Sequence, residues 1–194
     1  MRKLKLEMQV SIDGFTADRD GNTDWMVWDW TDPWTWDDAL RRYHTSLTTS
    51  SDCLLLSRKM ADEGFLDHWA GVARDASMPQ SSFAAHITGM RKMVFSKTLE
   101  KPAWKGVELV TGRMVEKVAR LKAEPGADIL VYGGPTFASS LVDADLIDEF
   151  HWFVNPAVLG AGRPMLKDIH RRSTLRLRSA QAYPCGVVVL TYVR

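Results

Sequence analysis

Leu4, Leu6, Met8, Val10 and Ile12 alternate with Lys5, Glu7, Gln9 and Ser11, the period of two expected of a strand with one buried face. The run ends at Asp13-Gly14, and a second Asp-Gly pair follows at Asp20-Gly21, so two turns are predicted there. From Thr35 to Thr49 the spacing lengthens: Trp36, Leu40, Tyr43 and Leu47 fall on one helical face, with Asp37 and Asp38 near its positive end. Asp52–Ser57 is a short apolar run of the kind that fills a fully buried parallel strand. A short helix beginning at Arg58 is expected to stop around Gly64, and residues 65 to 80 carry no clear period.

The same alternation of signals continues. A helix is predicted over Ser81–Thr88, strands over Lys92–Ser96 and Gly106–Val110, and a helix through Met114, Val118 and Leu121 that Pro125-Gly126 ends. Asp128–Gly134 reads as a strand running into a glycine turn, and Phe137, Leu141 and Val142 mark the helix after it. Ile147–Val154 is a further strand, broken at Asn155-Pro156, and Leu175–Ala182 with Cys185–Tyr192 form two β-like runs around Tyr183-Pro184. The expected fold is α/β: a mixed, mostly parallel sheet with helices on both faces and an antiparallel C-terminal hairpin. Its 194 residues, 45% apolar, suit a single domain over 1–194 with a sizeable core.

Charge narrows the function classes. Lys plus Arg number 25 against 24 Asp plus Glu, so net charge offers no argument for nucleic acid. No apolar run approaches the roughly 20 residues of a membrane span, and MRKLKLEMQV lacks a secretory h-region, so a cytoplasmic protein is expected. Cys53 and Cys185 lie apart in apolar runs, the five histidines show no metal spacing, and neither G-x-S-x-G nor H-E-x-x-H occurs. No metal site is expected. Between Asp13 and Asp38 stand eight Asp and one basic residue, and five of the eight tryptophans, Trp25, Trp28, Trp30, Trp34 and Trp36. That much ring surface needs cover from the core, a partner subunit or a flat ligand.

Candidate chemistry gathers at strand ends. A buried strand entering Gly133-Gly134 and then a helix offers backbone N–H groups to an anion, with no side chain to block its approach. Ser57-Arg58-Lys59 and Ser96-Lys97-Thr98 leave two other strands, so a guanidinium, point charges and hydroxyls could meet a phosphate on the same sheet edge. Asp13, at the exit of the first strand, is either a turn residue or a proton donor. Gly160 and Gly162 permit a close backbone approach beside Arg163.

These segments, Val10–Phe15 (VSIDGF), Leu54–Met60 (LLLSRKM), Val94–Leu99 (VFSKTL), Ile129–Phe137 (ILVYGGPTF) and Asn155–Leu166, resemble in order and spacing the dihydrofolate reductase-like superfamily. The likeness is specifically to the C-terminal reductase domain of the bifunctional riboflavin biosynthesis enzyme. It implies an NADPH cofactor: Arg58 at the 2′-phosphate with Ser96, Lys97 and Thr98 opposite, Gly133 and Gly134 at the pyrophosphate with Thr136 and Phe137 beyond, and Val10 and Ser11 along the nicotinamide. It also implies that Asp13, Trp25, Trp28 and Trp36 face the substrate and that Asp37 or Asp38 is the nearest acid to the family's proton donor. A phosphorylated substrate such as a phosphoribosylamino-pyrimidinone would need Arg163 or Lys167, and members of the group often form homodimers. Ser57 and Met60 depart from the family's Gly-Arg-x-Thr. The alternatives are a noncatalytic nucleotide- or flat-ligand-binding protein, and an interaction module that uses the tryptophan loop.

Overall fold

The computed structural model describes residues 1–30, 33–101 and 104–194. In chain order the elements are β1 (Leu4–Ser11), β2 (Phe15–Ala17), α1 (Asp38–Thr49), β3 (Ser51–Ser57), α2 (Arg58–Asp62), α3 (Phe65–Val72), α4 (Ser81–Gly89) and β4 (Arg91–Ser96). Then come β5 (Val107–Thr111), α5 (Met114–Ala123), β6 (Asp128–Tyr132), α6 (Pro135–Asp143), β7 (Glu149–Asn155), β8 (Arg163–Pro164), β9 (Arg176–Ala182) and β10 (Val188–Val193). Eight strands form one sheet in the order β5-β4-β3-β6-β1-β7-β10-β9. Its first six strands are parallel, and β10 and β9 close it antiparallel. The expected mixed sheet with its C-terminal hairpin is therefore present.

Helices α5 and α6 cover one face, where Val118, Leu121 and Leu141 pack on Leu4, Leu6, Met8 and Val10. Helices α1 to α4 cover the other, where Leu40, Leu47, Trp69 and Phe83 pack on Leu54, Leu56, Leu130 and Phe153. Among the described residues no helix is long and apolar enough to cross a membrane.

Three differences from the sequence reading position the site. First, α1 begins at Asp38, not Thr35, because the Asp37 carboxylate caps it, accepting from the Ala39 and Leu40 N–H groups at 3.0 and 3.1 Å. Second, residues 65 to 72 form α3, whose Phe65, Trp69 and Val72 are buried; the Trp and His content hid a helix of only two turns. Third, β2 and β8 pair as a small antiparallel ribbon. At its edge Gly162 lies so close to Ala17 that an added β-carbon would stand 2.1 Å from the Ala17 carbonyl oxygen.

Strand β1 also departs from expectation, because both of its faces are buried. Lys5, Glu7 and Ser11 are as enclosed as Met8, since α1 and the tryptophan loop lie over the polar face. Each polar side chain there has a partner: Lys5 Nζ meets Asp128 Oδ2 at 2.7 Å, Gln9 Nε2 donates to the Trp28 carbonyl at 2.9 Å, and Ser11 Oγ donates to Asp13 at 2.7 Å. Register then aligns a row across the sheet. Glu7 pairs with Tyr132 of β6 and with His151 of β7, and His151 pairs with Thr191 of β10. In-register residues of adjacent strands share a face, so four polar side chains lie side by side beneath α1.

The tryptophan loop turns inward. Trp28 and Trp36 are buried, with ring centroids 4.6 Å apart, and Trp36 stacks on Phe153 at 5.4 Å. Fully buried Asn155, at the break seen in the sequence, anchors the loop by accepting from the Val27 N–H at 2.8 Å.

Candidate functional site

A cavity of about 380 Å³ opens at the C-terminal ends of β1, β3 and β6, the edge where α/β sheets take ligands. Glu7, Gln9, His44 and Tyr132 lie along its sheet and α1 side; Trp28, Trp30, Phe65, Trp69 and Phe83 contribute aromatic walls; Ser57, Lys59, Gly133, Gly134 and Arg163 complete the lining. Aromatic walls with a few polar groups are the usual make-up of a small-molecule site.

The polar cluster is compact. His44 Nε2 lies 3.1 Å from Glu7 Oε1 and 3.0 Å from the Tyr132 hydroxyl, which also meets Thr48 Oγ1 at 2.9 Å. Burial and the neighbouring Glu7 charge hold the Tyr132 phenol well above its usual range, so it remains a neutral hydroxyl. Glu7 Oε2 is buried and makes no hydrogen bond. No local pattern in the sequence marks this cluster. Glu7 sits at a polar position of an alternating strand, which reads as solvent-facing, and His44 and Tyr132 are isolated in the chain; the tertiary structure brings them together.

The strand-end residues divide between the cavity and the surface beside it. Ser57, Lys59, Gly133 and Gly134 line the cavity. Ser57 Oγ caps α2 by accepting from the Met60 N–H at 3.2 Å, which gives the serine a local role where the family pattern has glycine. Gly134, with φ +23°, leads into α6 with Pro135 at its first turn. The missing side chain at Gly134 is required by the protein itself, since a β-carbon there would stand 2.9 Å from Ser57 Oγ. Outside the cavity, Arg58 Nη1 donates to Thr98 Oγ1 at 2.8 Å, joining the two basic segments. Ser96 Oγ accepts from the Thr98 and Leu99 N–H groups, and Lys97 and Thr136 are exposed. The pairs Arg58–Asp62 and Lys59–Glu63 are exposed and cost about 1 kcal/mol or less to exchange for another anion. A phosphate-bearing nucleotide fits this donor set: Ser57, Arg58, Lys59 and Thr98 with the α6 N-terminus.

Other sequence-derived positions lie elsewhere. Val10 packs into the opposite core, Ser11 is tied to Asp13 and to the Phe15 N–H, and Phe137 stacks on Phe95 at 5.0 Å; none of the three lines the cavity. Asp13 binds the loop after β7, accepting from the Leu159 and Gly160 N–H groups. Its carboxyl is held below the usual range, first by the Ser11 hydroxyl and then by these amides. Asp37 is spent on the α1 cap and the Cys185 N–H; burial opposes its ionisation, yet the hydrogen bonds outweigh this and lower its pKa. Neither acid lines the cavity. Of the substrate-side residues, Trp28 and Arg163 line it, whereas Trp25 donates to the Asn22 carbonyl and Trp36 lies within the core.

Solved structures carry the same architecture. A proposed riboflavin biosynthesis protein of Shewanella sp. PV-4 superposes with a TM-score of 0.72 at 21% identity, covering 99% of this chain and 98% of that one. Dihydrofolate reductase of Enterococcus faecalis, solved with NADP(H), superposes with a TM-score of 0.54 at 12% identity, covering 99% and 96%. The scaffold is thus dihydrofolate reductase-like. Residues 2–189 match the RibD C-terminal domain, and the chain belongs to that family. YyaP of Bacillus subtilis is 28% identical over 193 residues, 98% of this chain and 94% of that protein.

Proposed function

We propose that the chain is an NADPH-dependent oxidoreductase that reduces a small, flat, heterocyclic substrate in the tryptophan-walled cavity. The observation that carries this reading is the continuity of the cavity from the Glu7–His44–Tyr132 cluster to Ser57, Lys59 and Gly133–Gly134, with Arg58 and Thr98 just outside. Membership of the RibD C-terminal domain family and the likeness to a dihydrofolate reductase solved with NADP(H) support it.

When bound, NADPH supplies the hydride from its nicotinamide ring. Arg58 and Thr98 would take the 2′-phosphate, and the start of α6 with Ser57 and Lys59 the pyrophosphate. Trp28, Trp30 and Trp69 line the cavity and would wall a flat ring off from water. Arg163 lines the cavity and has no carboxylate partner among the described residues, so it would receive a substrate anion such as the phosphate of a phosphoribosylamino-pyrimidinone.

The test is titration of the purified protein with NADPH and NADH, followed by nicotinamide fluorescence. NADPH should bind at least about tenfold tighter than NADH, a difference of about 1.4 kcal/mol, and Arg58→Ala should abolish the preference. Absence of binding by either nucleotide at millimolar concentration would refute the reductase reading.

A further inference from the structure

Glu7 is an unusual carboxylate for this protein. Glu149, equally buried, is neutralised by Lys3 at 2.7 Å and Arg178 at 3.0 Å, and Lys5, next to Glu7 on the same strand face, is spent on Asp128 and Ser50. Glu7 has no Lys or Arg partner among the described residues; it has the His44 imidazole at 3.1 Å. One of its oxygens is buried without a hydrogen bond, and Glu7 is one of the residues that line the cavity. Enclosing a carboxylate on such terms costs several kcal/mol, and two strands away in the same row, beyond Tyr132, β3 carries Leu56. A purely structural role would be served better by an apolar side chain. The other carboxylates of the lining, Asp29 and Glu63, are less enclosed.

We infer that Glu7 and His44 together hold the proton that completes the reduction, with Glu7 Oε2 as the atom that hands it to the substrate. This assignment rests on the reductase reading. The hydride forms a C–H bond at the substrate's C=N or C=O carbon, and the π pair moves to the heteroatom. That heteroatom takes the proton from Glu7 Oε2, and the carboxylate left behind is held at Oε1 by the hydrogen bond from His44 Nε2–H. The pair ends one proton poorer and regains it from solvent once the product has left. Tyr132 is a positioning residue: its neutral hydroxyl, fixed by Thr48, holds the His44 ring with Nε2 toward Glu7. The remaining charged or titratable groups around the pair are Lys5 beside Glu7 on β1, His151 in register with Glu7 on β7, and Tyr43 beside His44 on α1.

The experiment joins NADPH titration with nitrogen-15 NMR of the histidine-labelled full chain, for wild type, Glu7→Gln, His44→Gln and Tyr132→Phe. His44→Gln assigns the ring resonances. The wild type should carry a proton on His44 Nε2, and Glu7→Gln should move that resonance while leaving NADPH affinity within about threefold. A panel of cyclic imines and quinones then serves as hydride acceptors, and Glu7→Gln should lower kcat by about 100-fold or more with any acceptor turned over. A wild-type His44 protonated only on Nδ1, a resonance indifferent to Glu7→Gln, or undiminished kcat would each overturn the assignment. The first of these needs no variant to fold. Failure of the wild type to bind NADPH would instead overturn the reductase reading and the assignment with it.

Discussion

Gly134 joins β6 to α6 with φ +23° and ψ 127°, a conformation that L-residues rarely adopt, and a β-carbon there would stand 2.9 Å from Ser57 Oγ and 3.3 Å from Ser57 Cβ. Gly134→Ala therefore carries two costs. The backbone term is about 1–3 kcal/mol. The second arises because Ser57 must turn away and release the Met60 N–H it caps at 3.2 Å, worth about 1 kcal/mol. The single variant should lose about 2–4 kcal/mol of stability. Ser57→Gly by itself should cost only a few tenths, roughly the usual difference between Ser and Gly at an N-cap, and in its presence Gly134→Ala should retain the backbone term alone. A double-mutant cycle should then show a coupling of about 1 kcal/mol between the two sites. Urea unfolding followed by tryptophan fluorescence measures all four proteins. A Gly134→Ala loss under about 0.5 kcal/mol, or strict additivity of the two substitutions, would refute the claim that Ser57 and Gly134 constrain each other.

Trp28, buried against Trp36 at 4.6 Å and Trp69 at 6.4 Å, holds both core and cavity wall; Trp28→Ala should cost about 3–5 kcal/mol, read as a lowered urea midpoint. His151 is held below its usual range first by burial, against the opposing charges of Glu7 and Glu149. Its neutral form is favoured in the fold, so its contribution to stability is complete above the unfolded value of about 6.5 and is lost as pH falls from there toward the lower folded value. Urea midpoints measured between pH 7.5 and 5 should fall in the wild type and fall less in His151→Gln.

The strand ends were legible because their signals are local. Gly133-Gly134 after an apolar run, and Ser57-Arg58-Lys59 and Ser96-Lys97-Thr98 after two others, announce turns and donors whatever surrounds them, and parallel pairing then puts them on one edge. The ribbon of β2 and β8 was hidden because its pairing joins Phe15 to Pro164 and neither strand is long enough to show a period. The surroundings of the two acids are hidden from the chain for a related reason. Asp13 and Asp37 look chemically available in a turn and at a helix start, but backbone N–H groups claim both.

Alternation, helical spacing and glycine or proline breaks are properties of neighbouring residues, so the order of the longer strands and most of the helices, the mixed sheet and the polar strand ends follow from the chain read alone. The polar floor of the cavity does not. Glu7 occupies a position that alternation assigns to solvent, and it is buried because α1 and the tryptophan loop pack across that face of the sheet. Its partners arrive by long-range register: Tyr132 lies opposite Glu7 across β6 and β1 and meets His44 from 88 residues away in the chain. Burial of a charge is decided by what covers it, and here the cover comes from segments whose contact no local pattern records.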